Sequence, residues 1–311
     1  MSIIFYSSDN NSASVLQALQ DKIPQHEITD FKHSDSDQRR HATYAVCWNP
    51  PADFFEDMTS LQAIFSIAAG VDHLLNHIGL PQGVPLARLQ DAGMSEKMAE
   101  YVLYGVLHYQ RSMEIYRSRQ SSGVWDTEDR DRHAADINVG MLGIGAIGSV
   151  VADRLIANGY SVSAWSRSHK QITGIKTFAG QQQLYNFAAA ADVLVCLLPL
   201  TAETTQIINS EFLQQMKAGA FLINAGRGKH VDTDALLEAL NSGSLSGALL
   251  DVTDPEPLPP EHPLWHATGV VITPHVAAPT QQTASIRQIS ENIQRADQGE
   301  TLSGLVKSEG Y

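Results

Sequence analysis

Short apolar runs alternate with segments of helical period from residue 3 to residue 298 of this chain. The runs at 3–7, 44–48, 63–68, 85–89, 138–142, 161–165, 193–198, 220–224, 247–251 and 270–273 read as strands. Segments 12–23, 146–158, 211–217, 232–241 and 280–298 read as helices. In the first of them Val15, Leu16, Leu19 and Ile23 fall on one stripe. Such alternation predicts an α/β fold, with parallel sheets covered by helices on both faces. Runs such as VLVCLL at 193–198 show no period of two, as expected of strands buried on both sides.

The strands fall into two groups, and 311 residues at roughly 150 per domain also suggest two domains. Between the groups lies 94–121, a helical segment too long for a simple crossover, which reads as an interdomain or dimer helix. The polar stretch 126–136 follows as a solvated loop. PEPLPPEHP at 255–263 is a stiff loop, since Pro lacks the N–H and fixes φ.

Composition removes several classes of function. Acidic residues number 34 and basic ones 21, for a formal charge of −13. That balance argues against nucleic acid, whose binding needs Lys and Arg to displace counterions, and against an anionic membrane surface. No window approaches the roughly 20 apolar residues of a membrane span. The start, Met1 to Tyr6, shows no basic region followed by an apolar one, so no secretory leader is expected. Cys47 and Cys196 each sit in an apolar run and read as reduced core thiols, which favours a cytoplasmic location. No Cys–His cluster has ligand spacing, so no metal site is expected.

Residues 139–148 read VGMLGIGAIG. Gly143, Gly145 and Gly148 make G-x-G-x-x-G directly after a strand and, with Ala146 and Ile147, open a helix. The first glycine permits the tight turn, the second a close approach to a pyrophosphate, and the third close helix–strand packing. The helix N-terminus then offers N–H groups to the phosphates. The next strand ends AWSRSHK at 164–170. An NAD site places a carboxylate here for the ribose 2′-OH. Ser166, Arg167 and Lys170 instead suit a 2′-phosphate, so NADPH is the expected cofactor and NADH a weaker one.

Three later stretches sit at or just beyond expected C-terminal strand ends, where open α/β sheets bind ligands. LINAGRGKHVD at 222–232 carries Arg227, LLDVTDPEPLPPEHPLW at 249–265 carries Asp251 and Glu256, and VVITPHVAA at 270–278 carries His275. These stretches, in this order, resemble the signature elements of the D-isomer-specific 2-hydroxyacid dehydrogenases. WNPP at 48–51, AAGVDHLL at 68–75, DAGM at 91–94, WSRSHK at 165–170, PLPPEHPLW at 257–265 and the terminal Gly310-Tyr311 are similar to the bacterial glyoxylate/hydroxypyruvate reductase A branch. Thr253 departs from the pattern, since many members carry an aromatic residue there.

The chemistry agrees with the resemblance. A 2-oxoacid presents a carboxylate beside a carbonyl, and the planar fork of Arg227 can hold both and stabilise a developing alkoxide. A proton must reach that oxygen as hydride reaches carbon, and His275 is the expected donor. Glu256 would hydrogen-bond it, fix its tautomer and favour its charged form. His262 is the rival donor but reads as loop structure, while His73, His77, His230 and His266 show no partner by spacing. The resemblance implies the same roles for Arg227, Glu256 and His275. It also implies that Asp251 meets the nicotinamide side of the cofactor, and that Ala69, Gly70 and Val71 receive the substrate carboxylate. Trp48 could wall the pocket, and Trp125 could reach into a partner's site.

The expected architecture is therefore two doubly wound, Rossmann-like parallel-sheet domains with a cleft between them. Residues 1–93, with 280–311 returning, form the substrate domain, and 94–279 the dinucleotide-binding domain. The expected activity is NADPH-dependent reduction of glyoxylate to glycolate and of hydroxypyruvate to D-glycerate. A homodimer is the expected assembly, with a small 2-oxoacid as the only other partner. The alternative is a dinucleotide-sensing regulatory protein on the same fold.

Overall fold

The structure is a computed structural model, described here for residues 1–9, 11–127 and 132–306. The chain divides into two compact units, Met1–Gly93 with Thr280–Tyr311, and Met94–Pro279. The terminal Gly310-Tyr311 and part of the 126–136 stretch lie outside the described residues.

The first unit begins with β1 (Ser2–Ser7), α1 (Ser12–Lys22), β2 (Glu27–Asp30), α2 (Ser36–Arg40), β3 (Tyr44–Trp48), β4 (Ala63–Ser66), α3 (Asp72–Leu75) and β5 (Leu86–Ala87). Its strands form one parallel sheet in the order β2-β1-β3-β4-β5. The continuous apolar runs become central strands: Tyr44 to Cys47 are fully buried, as two-sided cover requires. β2 has no such run. Only Ile28 of its residues is buried, which is why this edge strand is not evident from apolar patterning.

The second unit opens with α4 (Met94–Gln110) and α5 (Met113–Ser121). The helical period over 94–121 is thus shared by two helices. The break falls at Ser112, whose φ of 51° leaves the helical region and ends the ladder. There follow β6 (Asn138–Leu142), α6 (Ala146–Ala157), β7 (Ser161–Ser166), β8 (Lys176–Ala179), α7 (Gly180–Ala190), β9 (Val193–Cys196), α8 (Ser210–Gln215), β10 (Ala220–Asn224), α9 (Thr233–Asn241), β11 (Leu245–Leu250) and β12 (Val270–Ile272). All strands are parallel, in the order β12-β11-β10-β9-β6-β7-β8. The order reverses between β6 and β9, and the crevice at such a switch point is where doubly wound sheets take ligands. Met98, Ala99, Val102 and Val106 of α4 pack on Val139, Val193 and Ile223 of this sheet.

The last helix, α10 (Gln282–Asp297), belongs to the first unit. Ile286, Ile289 and Ile293 recur at helical spacing and are buried against Ile3, Phe5 and Leu19. Each such side chain contributes about 1.5–3 kcal/mol of transfer free energy. At the end of α10 the Asp297 carboxylate accepts from the Tyr44 hydroxyl at 3.0 Å. It also lies 3.0 Å from Nε2 of the buried His26. The return of the chain is therefore fixed by an apolar stripe and a polar tie.

Candidate active site

The glycine turn follows β6, at the switch point of the larger sheet. Gly143 has φ of 102°, in the region that disfavours side chains. Gly148 lies on the first turn of α6, and a Cβ there would meet the Gly143 carbonyl oxygen at 2.4 Å. Both glycines are required by the protein's own packing. Gly145 is different: a Cβ there would meet nothing within 4 Å, and its φ of −87° is open to any residue. It is the N-cap of α6 and offers no side-chain cap to the first N–H groups. The space beside it and those uncapped donors fit the pyrophosphate of a dinucleotide. Ala146 and Ile147 continue the same first turn.

Beyond β7 the Ser166 hydroxyl donates to the Ser168 carbonyl at 2.8 Å. Lys170 donates from Nζ to the carbonyl of Ile144, inside the glycine turn, at 3.1 Å. The ammonium is thereby held over the loop, and the exposed Arg167 stands between these groups in sequence. The three residues give this corner a positive, hydroxyl-bearing surface with no carboxylate among 164–170.

The other residues converge along the same sheet edge from the loops after β10, β11 and β12. Arg227 is three residues past β10. Its backbone N–H donates to Nδ1 of the fully buried His230 at 3.0 Å. Its carbonyl accepts from Asn224 Nδ2 at 3.0 Å, and its Nη1 donates to the Gly226 carbonyl at 2.9 Å. A Cβ on the next residue, Gly228, would sit 2.0 Å from the Thr253 carbonyl group. That contact presses the Arg227 loop against the loop that carries Glu256.

Asp251, directly after β11, is 2% exposed. Its carboxylate accepts from the Thr273 hydroxyl at 2.7 Å and from the N–H groups of Val276 at 2.8 Å and Ala277 at 2.9 Å. Its carbonyl accepts from the N–H of His275 at 2.8 Å. Asp251 thus organises the turn in which His275 takes φ of 54°, a left-handed conformation uncommon for a residue with a side chain. So placed, the His275 ring lies with Nδ1 2.7 Å from Glu256 Oε1. Both side chains are partly open to solvent, at 45% and 42%. The hydrogen bond from His275 holds the Glu256 carboxyl below its ordinary value of 4.5, burial opposes that shift, and Arg227 adds a smaller lowering. The carboxylate is therefore ionised at neutral pH.

His262 serves the loop. Its Nδ1 accepts from the Leu264 N–H at 3.2 Å at the start of a short 3-10 turn. Trp48 and Ala69-Gly70-Val71 lie in the first unit, at the C-terminal ends of the paired strands β3 and β4. The Trp48 ring stands edge-on to His73 at 4.2 Å between centroids. Arg88 Nη1 donates to the Leu89 carbonyl at 3.3 Å and lies 3.5 Å from that of Ala69. Trp125 is fully exposed. His230, Gly228, Thr273 and Tyr101, whose hydroxyl lies 2.6 Å from Thr273 Oγ1, carry no spacing signal of their own. Their partners are distant in sequence, apart from His230, which is only three residues from Arg227.

Residues 103–277 match the family model described as the D-isomer specific 2-hydroxyacid dehydrogenase NAD binding domain. Solved structures resemble the chain over nearly its whole length. A D-isomer specific 2-hydroxyacid dehydrogenase from Xanthobacter autotrophicus Py2, in complex with NADPH and MES, is 36% identical with a TM-score of 0.91, covering 98% of each chain. A protein of the same family from Klebsiella pneumoniae 342 is 39% identical with a TM-score of 0.90, over 99% of this chain and 97% of that one. An NADPH-dependent glyoxylate/hydroxypyruvate reductase from Sinorhizobium meliloti, in complex with NADP and sulfate, is 34% identical with a TM-score of 0.91, over 100% and 99%. With a glycine turn at the sheet's switch point, an Arg, Glu and His on its neighbouring loops, and these similarities across both units, the chain belongs to the D-isomer specific 2-hydroxyacid dehydrogenase family.

Proposed function

We propose that this chain reduces small 2-oxoacids with NADPH, converting glyoxylate to glycolate and hydroxypyruvate to D-glycerate. The observation that carries the reading is the 2.7 Å bond between His275 Nδ1 and Glu256 Oε1, beside the Arg227 loop on the edge that bears the glycine turn. The match to the Sinorhizobium reductase supports the choice of substrates.

In this reading the first unit, 1–93 with 280–311, is the substrate domain, and 94–279 is the dinucleotide-binding domain. The turn Gly143 to Gly148, with Ala146 and Ile147, holds the pyrophosphate. Ser166, Arg167 and Lys170 hold the 2′-phosphate, and Asp251 lies toward the nicotinamide. NADH, lacking that phosphate, binds more weakly. The reduced nicotinamide, when bound, supplies the hydride. Arg227 orients the 2-oxoacid through its carboxylate and carbonyl oxygens and stabilises negative charge on the carbonyl oxygen. Backbone N–H groups at Ala69-Gly70-Val71 receive the carboxylate, and Trp48 limits pocket size. Glu256 accepts from Nδ1–H, which orients the ring, and in the imidazolium form Nε2–H is then the free donor. As the carbonyl carbon takes hydride, its oxygen takes the Nε2 proton, and the partly exposed ring regains one from solvent. Nothing in this scheme calls for a metal.

The assembly we infer is a homodimer. Tyr104, Leu107, Met113, Tyr116, Val124 and Trp125 expose apolar surface on and after α4 and α5, and a second copy would cover it. Among the described residues no helix is long and apolar enough to cross a membrane. Cys47 and Cys196 are free and buried, and burial pushes the Cys196 thiol up to about 12. Unreactive reduced thiols suit the cytoplasm.

The deciding experiment mixes protein, NADPH and a panel of 2-oxoacids and follows the absorbance of the reduced cofactor. Glyoxylate and hydroxypyruvate should give the highest kcat/KM. Binding of NADPH with no turnover of any 2-oxoacid would refute the reading and favour a dinucleotide sensor.

A further inference from the structure

A line of polar groups joins α4 to the His275 turn, and of its members only Asp251 has a part in the proposed reaction. Asp251 is buried, and a buried carboxylate needs donors on both oxygens. The N–H groups of Val276 and Ala277 supply two, and the Thr273 hydroxyl supplies another at 2.7 Å. A threonine hydroxyl has a single proton. Since Thr273 gives that proton to Asp251, the 2.6 Å contact between Tyr101 and Thr273 has the tyrosine as donor. The chain of bonds therefore runs one way, from Tyr101 through Thr273 to Asp251. Burial pushes the Tyr101 hydroxyl well above its ordinary value, the bond with Thr273 opposes that rise and Asp251 adds to it, so the hydroxyl keeps its proton across the working pH range.

The far end of this line is the strained residue. A side-chain-bearing residue at positive φ persists only where its surroundings over-determine it. His275 is so determined: Asp251 takes its N–H on the main-chain carbonyl and the next N–H groups on the carboxylate. We propose that Tyr101 is a positioning residue for the proton donor, acting through Thr273 to fix the Asp251 carboxylate that holds His275 in its left-handed turn. The proposal rests on the reading of His275 as proton donor, and it adds α4 to the machinery of the site.

The test uses the full-length protein, with kinetics in parallel with amide hydrogen exchange of the cofactor-free form. Tyr101→Phe should lower kcat for glyoxylate about fivefold, leaving the NADPH KM within about twofold, since one neutral hydrogen bond nets about 1 kcal/mol. Thr273→Val, which removes the donor to a charged group, should cost about thirtyfold, and Thr273→Ser should restore nearly all of it. In the Thr273→Val background Tyr101→Phe should have no further effect, because a residue acting through another is fully coupled to it. Exchange of the Val276 and Ala277 amides should quicken in Tyr101→Phe, while amides of β9 keep their protection. A wild-type kcat in Tyr101→Phe, unaltered exchange at Val276 and Ala277, or additive effects in the double variant would each overturn the proposal. If the wild type turns over no 2-oxoacid, the proposed function falls, while the exchange result still supports or refutes the positioning of the turn.

Discussion

The glycine turn after β6 and the loops after β10, β11 and β12 share one sheet edge but are built in opposite ways. The turn is a local device. Gly143, Gly145 and Gly148 lie within one strand–turn–helix unit, and the contact that requires Gly148 is with Gly143 itself. The Arg227, Glu256 and His275 cluster is assembled from three separate crossovers. Its fit depends on Gly228 against Thr253, on His230 beneath Arg227, and on Asp251 gripping the turn of His275. A binding element for a phosphate can be local because backbone N–H groups suffice. An acid, its orienting carboxylate and an anion-binding guanidinium need side chains that approach from different directions.

That contrast can be broken at either end. The largest effect is expected at the non-local cluster. His275→Ala removes the proposed donor and should lower kcat/KM for glyoxylate by about 10²–10⁴ at all pH values, the usual worth of general acid catalysis. NADPH affinity, read by fluorescence titration, should hold. Wild-type turnover would take His275 out of the mechanism.

Next in size is Arg227→Lys, which keeps the charge and loses the fork. Steady-state kinetics should show a fall of about a hundredfold in kcat/KM, near 2.7 kcal/mol of transition-state stabilisation. Full activity would mean that a point charge suffices.

At the local end, Arg167→Ala tests the cofactor. A charge-assisted contact to a 2′-phosphate is worth about 1.5–3 kcal/mol, so the NADPH over NADH preference should drop roughly ten- to a hundredfold, mainly in KM. A wild type that uses both cofactors equally would refute the assignment.

The glycines sharpen the comparison further. Gly145→Ala meets no protein atom within 4 Å, so thermal unfolding should stay unchanged while NADPH affinity falls about tenfold through crowding of the phosphates. Gly148→Ala should instead destabilise the fold by about 1–3 kcal/mol, as overpacking does. If Gly145→Ala binds NADPH normally, the space beside it is not the pyrophosphate site.

The smallest expected change is in pH dependence. The His275 bond keeps Glu256 ionised below its ordinary 4.5. A depressed carboxylate contributes stability above its unfolded value and loses it as pH falls through the folded one. Wild-type activity should therefore be free of Glu256 titration from pH 5 upward. The pH profile of kcat/KM between pH 5 and 8 should therefore contain no limb that Glu256→Gln abolishes. A limb lost in that variant would show that Glu256 titrates in this range.

Much of this was legible in the chain because the relevant forces act locally or by simple burial. Apolar runs such as YAVCW and VLVCLL give strands buried on both faces, and their alternation with helical stripes gives parallel sheets. The glycine spacing gives a strand–turn–helix unit at the switch point, and the stretches that carry Arg227, Glu256 and His275 give loops at one sheet edge, with the roles proposed for them resting on residue type. Edge strands β2 and β8 were not legible, since each buries a single residue, Ile28 and Phe178, and one apolar position makes no pattern. Nor was the break at Ser112, which no Gly or Pro marks. Only the tertiary structure decided that His275 adopts a left-handed turn, that His230 supports Arg227, and that Tyr101 reaches Asp251 through Thr273. Each depends on a close approach, and apart from His230 the partners lie many residues apart. Hydrogen bonds made in this way leave no periodicity in the sequence, because what they require is a distance, and distance is fixed only when the strands have found their order.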